Sequence, residues 1–381
     1  MKQLILCLII LLGSKTNYAF GDSLSLQRMI QEAEQAFGTI EINFAFQRQQ
    51  LQGEWQLMWK QCTESKHTDF PCWIGMQQLQ QEALVLEQLE SLQLLKIRYR
   101  KGIDLIKLLY EKILALDHHF SSMNTFQNIL NMSNPNNYPG FQQVGSLIEE
   151  RLKKRNLIQL PGILQSNPYL TATFSLVASL LGEGESGEKQ KDFEEIACIL
   201  DFTVRMRSDL SVIQHETEYL KLANQQLKEA CEKLFEDYVA VIDYLVPLER
   251  CRKNDDWEKL FIQLDEYIRL LEVELAGQEP GMLPTYSPNR NFVNLEFSTQ
   301  RVAEFIGKYN DFINLGTQYY QKFDNIVSNY EYEDLCQEDL PYQFSELQED
   351  IEQTIMKFLN TYRLPEIQGS RMKDLLYGFQ G

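Results

Sequence analysis

The sequence predicts an all-α protein: an elongated antiparallel helical bundle or coiled coil of three long helices, with a C-terminal set of shorter helices. Three observations predict it. Apolar residues recur every three or four positions over long stretches, the mark of an amphipathic helix. Gln, Glu, Leu and Lys dominate, while the β-branched alternation of strands is scarce. Pro and Gly gather in a few short segments instead of punctuating the chain every ten residues, as in an all-β fold.

Taken in order, residues 1–21 read as a signal peptide. Lys2 supplies a short positive start, and Leu4, Ile5, Leu6, Cys7 and Leu8 open an apolar run ending at Leu12, too short to span a bilayer. Ala19 and Gly21 offer a cleavage site before Asp22. This reading sends the chain out through the secretory pathway, to a periplasm or the cell exterior.

Residues 22–250 carry the long-helix pattern. The first helix is predicted to begin at Ser23 or Ser25, either a good N-cap. Its stripe is Leu26, Ile30, Ala33, Phe37, Ile40, Phe44, Leu51, Trp55 and Met58. Those steps give a 3.5-residue repeat, which winds helices around each other left-handedly. Thr63, Pro71 and the polar residues between them mark a loop. A second helix is predicted over 74–120, on the stripe Leu79, Leu86, Leu89, Leu92, Leu95, Tyr99, Ile103, Ile106, Tyr110 and Ile113. Gly102 sits inside it at a cost of about 1 kcal/mol against Ala. A third is predicted over 189–246, ended or kinked by Pro247. Short connections between the three favour antiparallel packing. The remainder divides into a short helix within 251–276, a Pro/Gly linker at 277–293 and a helical region at 294–381. Within that last region the pattern marks helices at 298–330, 345–362 and 370–377.

The formal net charge of −18 excludes nucleic acid as a partner, because an acidic surface repels phosphate backbones. It suits basic partners or cations. Outside the leader there are six cysteines, an even number that suggests disulfides in an oxidising compartment. Cys62 and Cys72 flank the short loop between the first two helices and form the pair the layout favours. Cys198 and Cys231 lie about 50 Å apart along one helix and cannot pair with each other.

No catalytic, cofactor or metal-binding residue is assigned. His67, His118, His119 and His215 read as surface or helix-end histidines, with His119 suited as a cation to a helix C-terminus. There is no HExxH, no CxxC, no Walker A sequence and no EF-hand loop. Residues 182–187 match the glycine spacing of a dinucleotide loop, but no strand precedes them. Glu183 and Glu185 would also sit against the pyrophosphate. The acidic tract at 324–352 reads as solvated surface in preference to a loose calcium site.

Two segments carry functional expectations. Residues 156–182 hold no charge, and Arg151, Lys153, Lys154 and Arg155 precede them. They read either as buried core helices or as an apolar hairpin able to enter a membrane, with Leu170, Phe174, Leu176, Val177, Leu180 and Leu181 as the contact residues. In organisation, long helices with an apolar head between them, the layout resembles the helical pore-forming toxins of the cytolysin A class. That resemblance carries over no site residue. Trp55, Trp59 and Trp73 cluster at the first helix–loop junction and read as core anchors, with an aromatic contact patch as the alternative. The chain is therefore expected to be an exported, non-enzymatic helical bundle, a protein-interaction or scaffold component. The alternative is a membrane-active protein inserting 156–182. A homo-oligomer stays open, since heptads can be satisfied within or between chains.

Overall fold

A computed structural model describes residues 17–64, 70–121, 133–138, 141, 188–276, 290–331, 342–364 and 370–377. The described residues form eight α-helices and no strand. In chain order these are α1 (Asn17–Glu64), α2 (Phe70–Ser121), α3 (Glu188–Val239), α4 (Leu248–Asn254), α5 (Trp257–Ala276), α6 (Arg290–Glu331), α7 (Tyr342–Tyr362) and α8 (Ser370–Tyr377). The all-α class is as predicted.

The detail of three long helices needs correction. Four helices exceed forty residues, at 48, 52, 52 and 42 residues for α1, α2, α3 and α6. Helix α6 starts at Arg290, inside the span the Pro/Gly composition had assigned to a linker. Helix α1 begins at Asn17 and runs through both serines expected to cap it. Helix α3 ends at Val239, short of Pro247. A 3₁₀ turn, Ala240–Ile242, follows, and Asp243 then takes a left-handed conformation at φ 60°. Its N–H reaches the Ala240 carbonyl at 3.1 Å and closes the helix end. Pro247 instead precedes α4, where its missing N–H costs nothing. Asp255 is likewise left-handed and ends α4, so the single short helix expected within 251–276 is interrupted and α5 starts at Trp257.

The chain divides into two compact units. The first comprises Met1–Ala115, Gln225–Asp311 and Thr361–Gly381. Helix α2 is its centre. Arg98 lies over the Phe37 ring of α1, Arg100 over Phe261 and Lys107 over Trp257 of α5. Tyr110 donates to Glu232 of α3, and the Lys112 ammonium donates to the Thr361 carbonyl. Four elements, α1, α3, α5 and α7, thus meet α2 within fifteen residues, and its Leu105, Ile106, Leu109 and Ile113 are fully buried.

Gly102 earns its place in that core. Tyr99 and Tyr238 stack at 4.2 Å, and each hydroxyl donates to the other's backbone carbonyl. The Tyr238 hydroxyl lies where a Cβ on Gly102 would stand. Gly102→Ala is therefore expected to destabilise by about 1–3 kcal/mol, overpacking outweighing the better helix propensity. Gly53 of α1 faces open space, so Gly53→Ala should gain up to about 1 kcal/mol locally. Denaturant unfolding of the two variants checks the sign; a stabilising Gly102→Ala would refute the close-approach account.

The second unit comprises Leu116–Asn224 and Phe312–Asn360. Aromatic side chains dominate its core. Phe120, Phe202, Tyr320, Phe323 and Phe358 are almost wholly buried. Thr217 and Tyr319 share a hydrogen bond at 2.7 Å, and Tyr330 donates to Asp209 at 2.5 Å. The turn-forming residues around Pro135 make a 3₁₀ turn whose Tyr138 packs on Phe202.

His119 corrects an expectation. It is buried, not a surface cation at a helix end. Its Nε2 lies 2.5 Å from the Tyr320 hydroxyl, and its ring stands among Phe120, Tyr320 and Phe358. Burial, with the Lys357 charge second, lowers its pKa to about 4. The histidine is neutral in the folded protein at neutral pH.

Candidate functional site: a disulfide-stapled helical arm

The first unit carries a helical hairpin that covers itself incompletely. Near its start, the α1 stripe is sealed: Leu26, Ile30, Ala33 and Phe37 are buried. Helix α8 lies on α1, buries its own Met372, Leu375 and Leu376, and ties Arg371 to Glu34 with two hydrogen bonds of 2.8 and 2.6 Å. Beyond Phe37 the same heptad pattern continues, but no side chain over 38–64 is fully buried. On α2, only Met76, Leu79 and Leu86 are buried over 70–90. These two stretches form an arm of two helices.

The arm is braced at intervals along its length. Arg48 pairs with Glu90 across it. The Met58 thioether sits over Gly75, where a Cβ would meet its sulfur at 2.7 Å. At the tip a disulfide joins Cys62 to Cys72, with Cα atoms 5.7 Å apart, as the layout predicted. Cys198 is disulfide-bonded as well, its partner lying outside the described residues. The even count does not translate into pairing throughout: Cys231 and Cys251 are free and buried, and burial pushes both thiols up. A thiol held protonated in this way is inert as a nucleophile.

Beside the disulfide lies an aromatic band. Trp55 stacks on Trp59 at 5.4 Å, and Trp59 meets Trp73 edge-on at 6.2 Å. Trp55, Trp59 and Trp73 are 39%, 43% and 50% exposed, and Phe70 is 75% exposed. The expectation that these tryptophans anchor a core is thus corrected: they form an exposed aromatic cluster. Ile74, next to Trp73, is exposed as well, as is Leu57 on the opposite face of α1. Four large aromatic side chains exposed together are unusual on a monomer's surface.

Two grooves run along the arm. One, of about 620 Å³, is floored by Leu51, Trp55, Leu79, Ala83 and Leu84. The other, of about 670 Å³, is floored by Leu51, Val85, Leu86 and Leu89 and reaches Ala276 at the end of α5. The arm's charges are unbalanced around them. Its described bases, Arg48 and Lys60, are both paired, with Glu90 and Glu64. Glu41, Glu54, Glu82 and Glu87 meet no basic partner among the described residues.

Removing the staple should loosen this arm and little else. Cys62→Ser with Cys72→Ser is expected to cost the arm about 2–3 kcal/mol, the loop-closure value for so short a ring. Limited proteolysis should then cut between Trp55 and Trp73, while the main unfolding transition moves little. Unchanged protease resistance would show that packing alone holds the tip.

Other sequence-based expectations fall elsewhere. Residues 156–182, with Leu170, Phe174, Leu176, Val177, Leu180 and Leu181, lie outside the described residues, as do 182–187. Among the described residues, no group of three His, Cys, Asp or Glu is placed to hold a metal ion, and no helix is long and apolar enough to cross a membrane. Comparison with protein-family models, curated proteins and solved structures finds no match to this chain.

Proposed function

We propose that this chain is an exported, non-enzymatic helical bundle that serves as a protein-interaction component, docking its partner through the α1–α2 arm. The observation that carries the reading is the exposed tryptophan band held on a disulfide-stapled hairpin. Tryptophan is the residue most enriched at interaction hot spots, and a rigid support removes the entropy cost of ordering it on binding. Export is supported by the leader-like residues 1–21 and by disulfides, which persist in oxidising compartments.

The test is capture from the native envelope and medium by the wild-type chain and by the combined Trp55→Ala, Trp59→Ala and Trp73→Ala variant. A defined protein retained by the wild type and lost by the variant is expected, with both chains equally helical by circular dichroism. Capture that ignores the arm substitutions, or no capture at all, overturns the reading.

A further inference from the structure

We infer that the groove floored by Leu51, Trp55, Leu79 and Leu84 takes a basic amphipathic helix of the partner, laid against the arm as α8 is laid against the base of α1. This rests on the arm being the docking element and adds the chemistry of what docks.

Three observations support it. The first is an unfinished pattern. Two helices with heptad stripes leave grooves that a third helix fills, each apolar knob entering a hole between four side chains. At the base of α1, with α8 docked, Leu26 to Phe37 are buried. Farther out, where no third helix lies among the described residues, Leu51 is only half-buried and Trp55 is exposed.

The second is a precedent within the same unit. Helix α8 offers Met372, Leu375 and Leu376, at i, i+3 and i+4, to the interior, and answers the acidic Glu34 with Arg371. Partner helices that lie in grooves are read by this spacing. The distal groove continues the surface of α1 on which α8 already sits.

The third is charge. Every described base on the arm is occupied, while Glu41, Glu54, Glu82 and Glu87 are not, and Glu87 lines this groove. The groove's other charged residues, Arg48 and Glu90, neutralise each other, so Glu87 leaves it one net negative charge on an arm with three more unpaired carboxylates, which selects lysine or arginine beside an apolar stripe. It also disfavours a second copy of the chain, which would bring the same four carboxylates and a net charge of −18.

The experiment uses the full chain and two synthetic probes, a Leu/Lys peptide patterned as an amphipathic helix and its Leu/Glu counterpart. Three of the four tryptophans lie on the arm, so their emission reports occupancy, with peptide anisotropy as the second readout. The Leu/Lys peptide is expected to bind saturably and shift the emission to the blue, with the Leu/Glu peptide at least about tenfold weaker. Leu51→Asp with Leu84→Asp should weaken Leu/Lys binding about tenfold. That variant makes the arm more acidic, so binding by charge alone would strengthen instead. Glu82→Lys with Glu87→Lys should reverse the preference between the peptides, an outcome that unfolding cannot mimic.

Equal binding of both peptides, or undiminished Leu/Lys binding to the Asp variant, overturns the inference. So does self-association in sedimentation that the Asp variant abolishes, which would assign the groove to a second copy. An emission shift with phosphatidylcholine vesicles but not with peptide would assign it to lipid and likewise overturn it. If capture depends on the arm but peptide charge is immaterial, the docking reading stands and only this inference falls. If capture ignores the arm, the docking reading itself falls.

Discussion

Phe358→Ala is expected to cost the second unit about 3–5 kcal/mol, enough to unfold most small units outright. The ring is fully buried and meets His119, Phe120 and Tyr320 at centroid distances of 5.6, 6.2 and 5.1 Å. It also lies on Gly316, where a Cβ would come within 2.5 Å of its Cζ. Truncation removes the apolar transfer term and leaves a cavity walled by rigid aromatics, which collapse poorly. Phe358→Leu should cost about half as much, because the volume is partly kept. Urea unfolding at constant m-value measures both; a loss below about 1 kcal/mol for the alanine variant would mean that the cavity refills.

His119 makes the same core sensitive to acid. Its pKa is lowered to about 4 in the folded state by burial and then by Lys357, against 6.5 for the free side chain. A histidine held neutral in the native state takes up its proton first in the unfolded chain. The stability it protects is present above pH 6.5 and drains as the pH falls towards 4. Across that window the loss is on the order of 3 kcal/mol. The Tyr320 hydroxyl shares a hydrogen bond with its ring, and the nearby Lys357 ammonium opposes its protonation. His119→Gln keeps a hydrogen-bond partner for Tyr320 without titrating. The stability difference between wild type and this variant should narrow or reverse by that amount between pH 7.5 and 4. A difference that stays flat with pH would place the folded-state pKa near its ordinary value.

Much of this fold was legible in the sequence, for a physical reason. Heptad spacing is a local property, so Leu26 to Met58 and Leu79 to Ile113 announce their helices without reference to partners. The Cys62–Cys72 bridge was legible too, because a ten-residue separation across a turn leaves little choice. What failed depended on the third dimension. Val241 and Leu245 continue the apolar rhythm past Val239, where the helix gives way to the 3₁₀ turn closed by Asp243, so α3 looked longer than it is. The first turns of α6, from Arg290, hid in a stretch whose Pro and Gly content reads as linker. His119 looked like a surface residue because the rings that bury it come from α6 and α7, two hundred residues away. The tryptophans failed in the opposite sense. Trp55 and Trp59 keep core-like spacing, but only the presence of a third helix decides whether a heptad stripe is covered.

The staple at the arm's tip also settles how α1 and α2 respond to load. Paired helices commonly adjust by ratcheting past each other one turn at a time, a step of about 5.4 Å. With Cys62 and Cys72 already 5.7 Å apart at Cα, and disulfides confined to about 7 Å, that step is forbidden while the bond is intact. One-turn slippage at the tip is therefore absent from the hairpin's repertoire, and reduction of a single bond removes that bar.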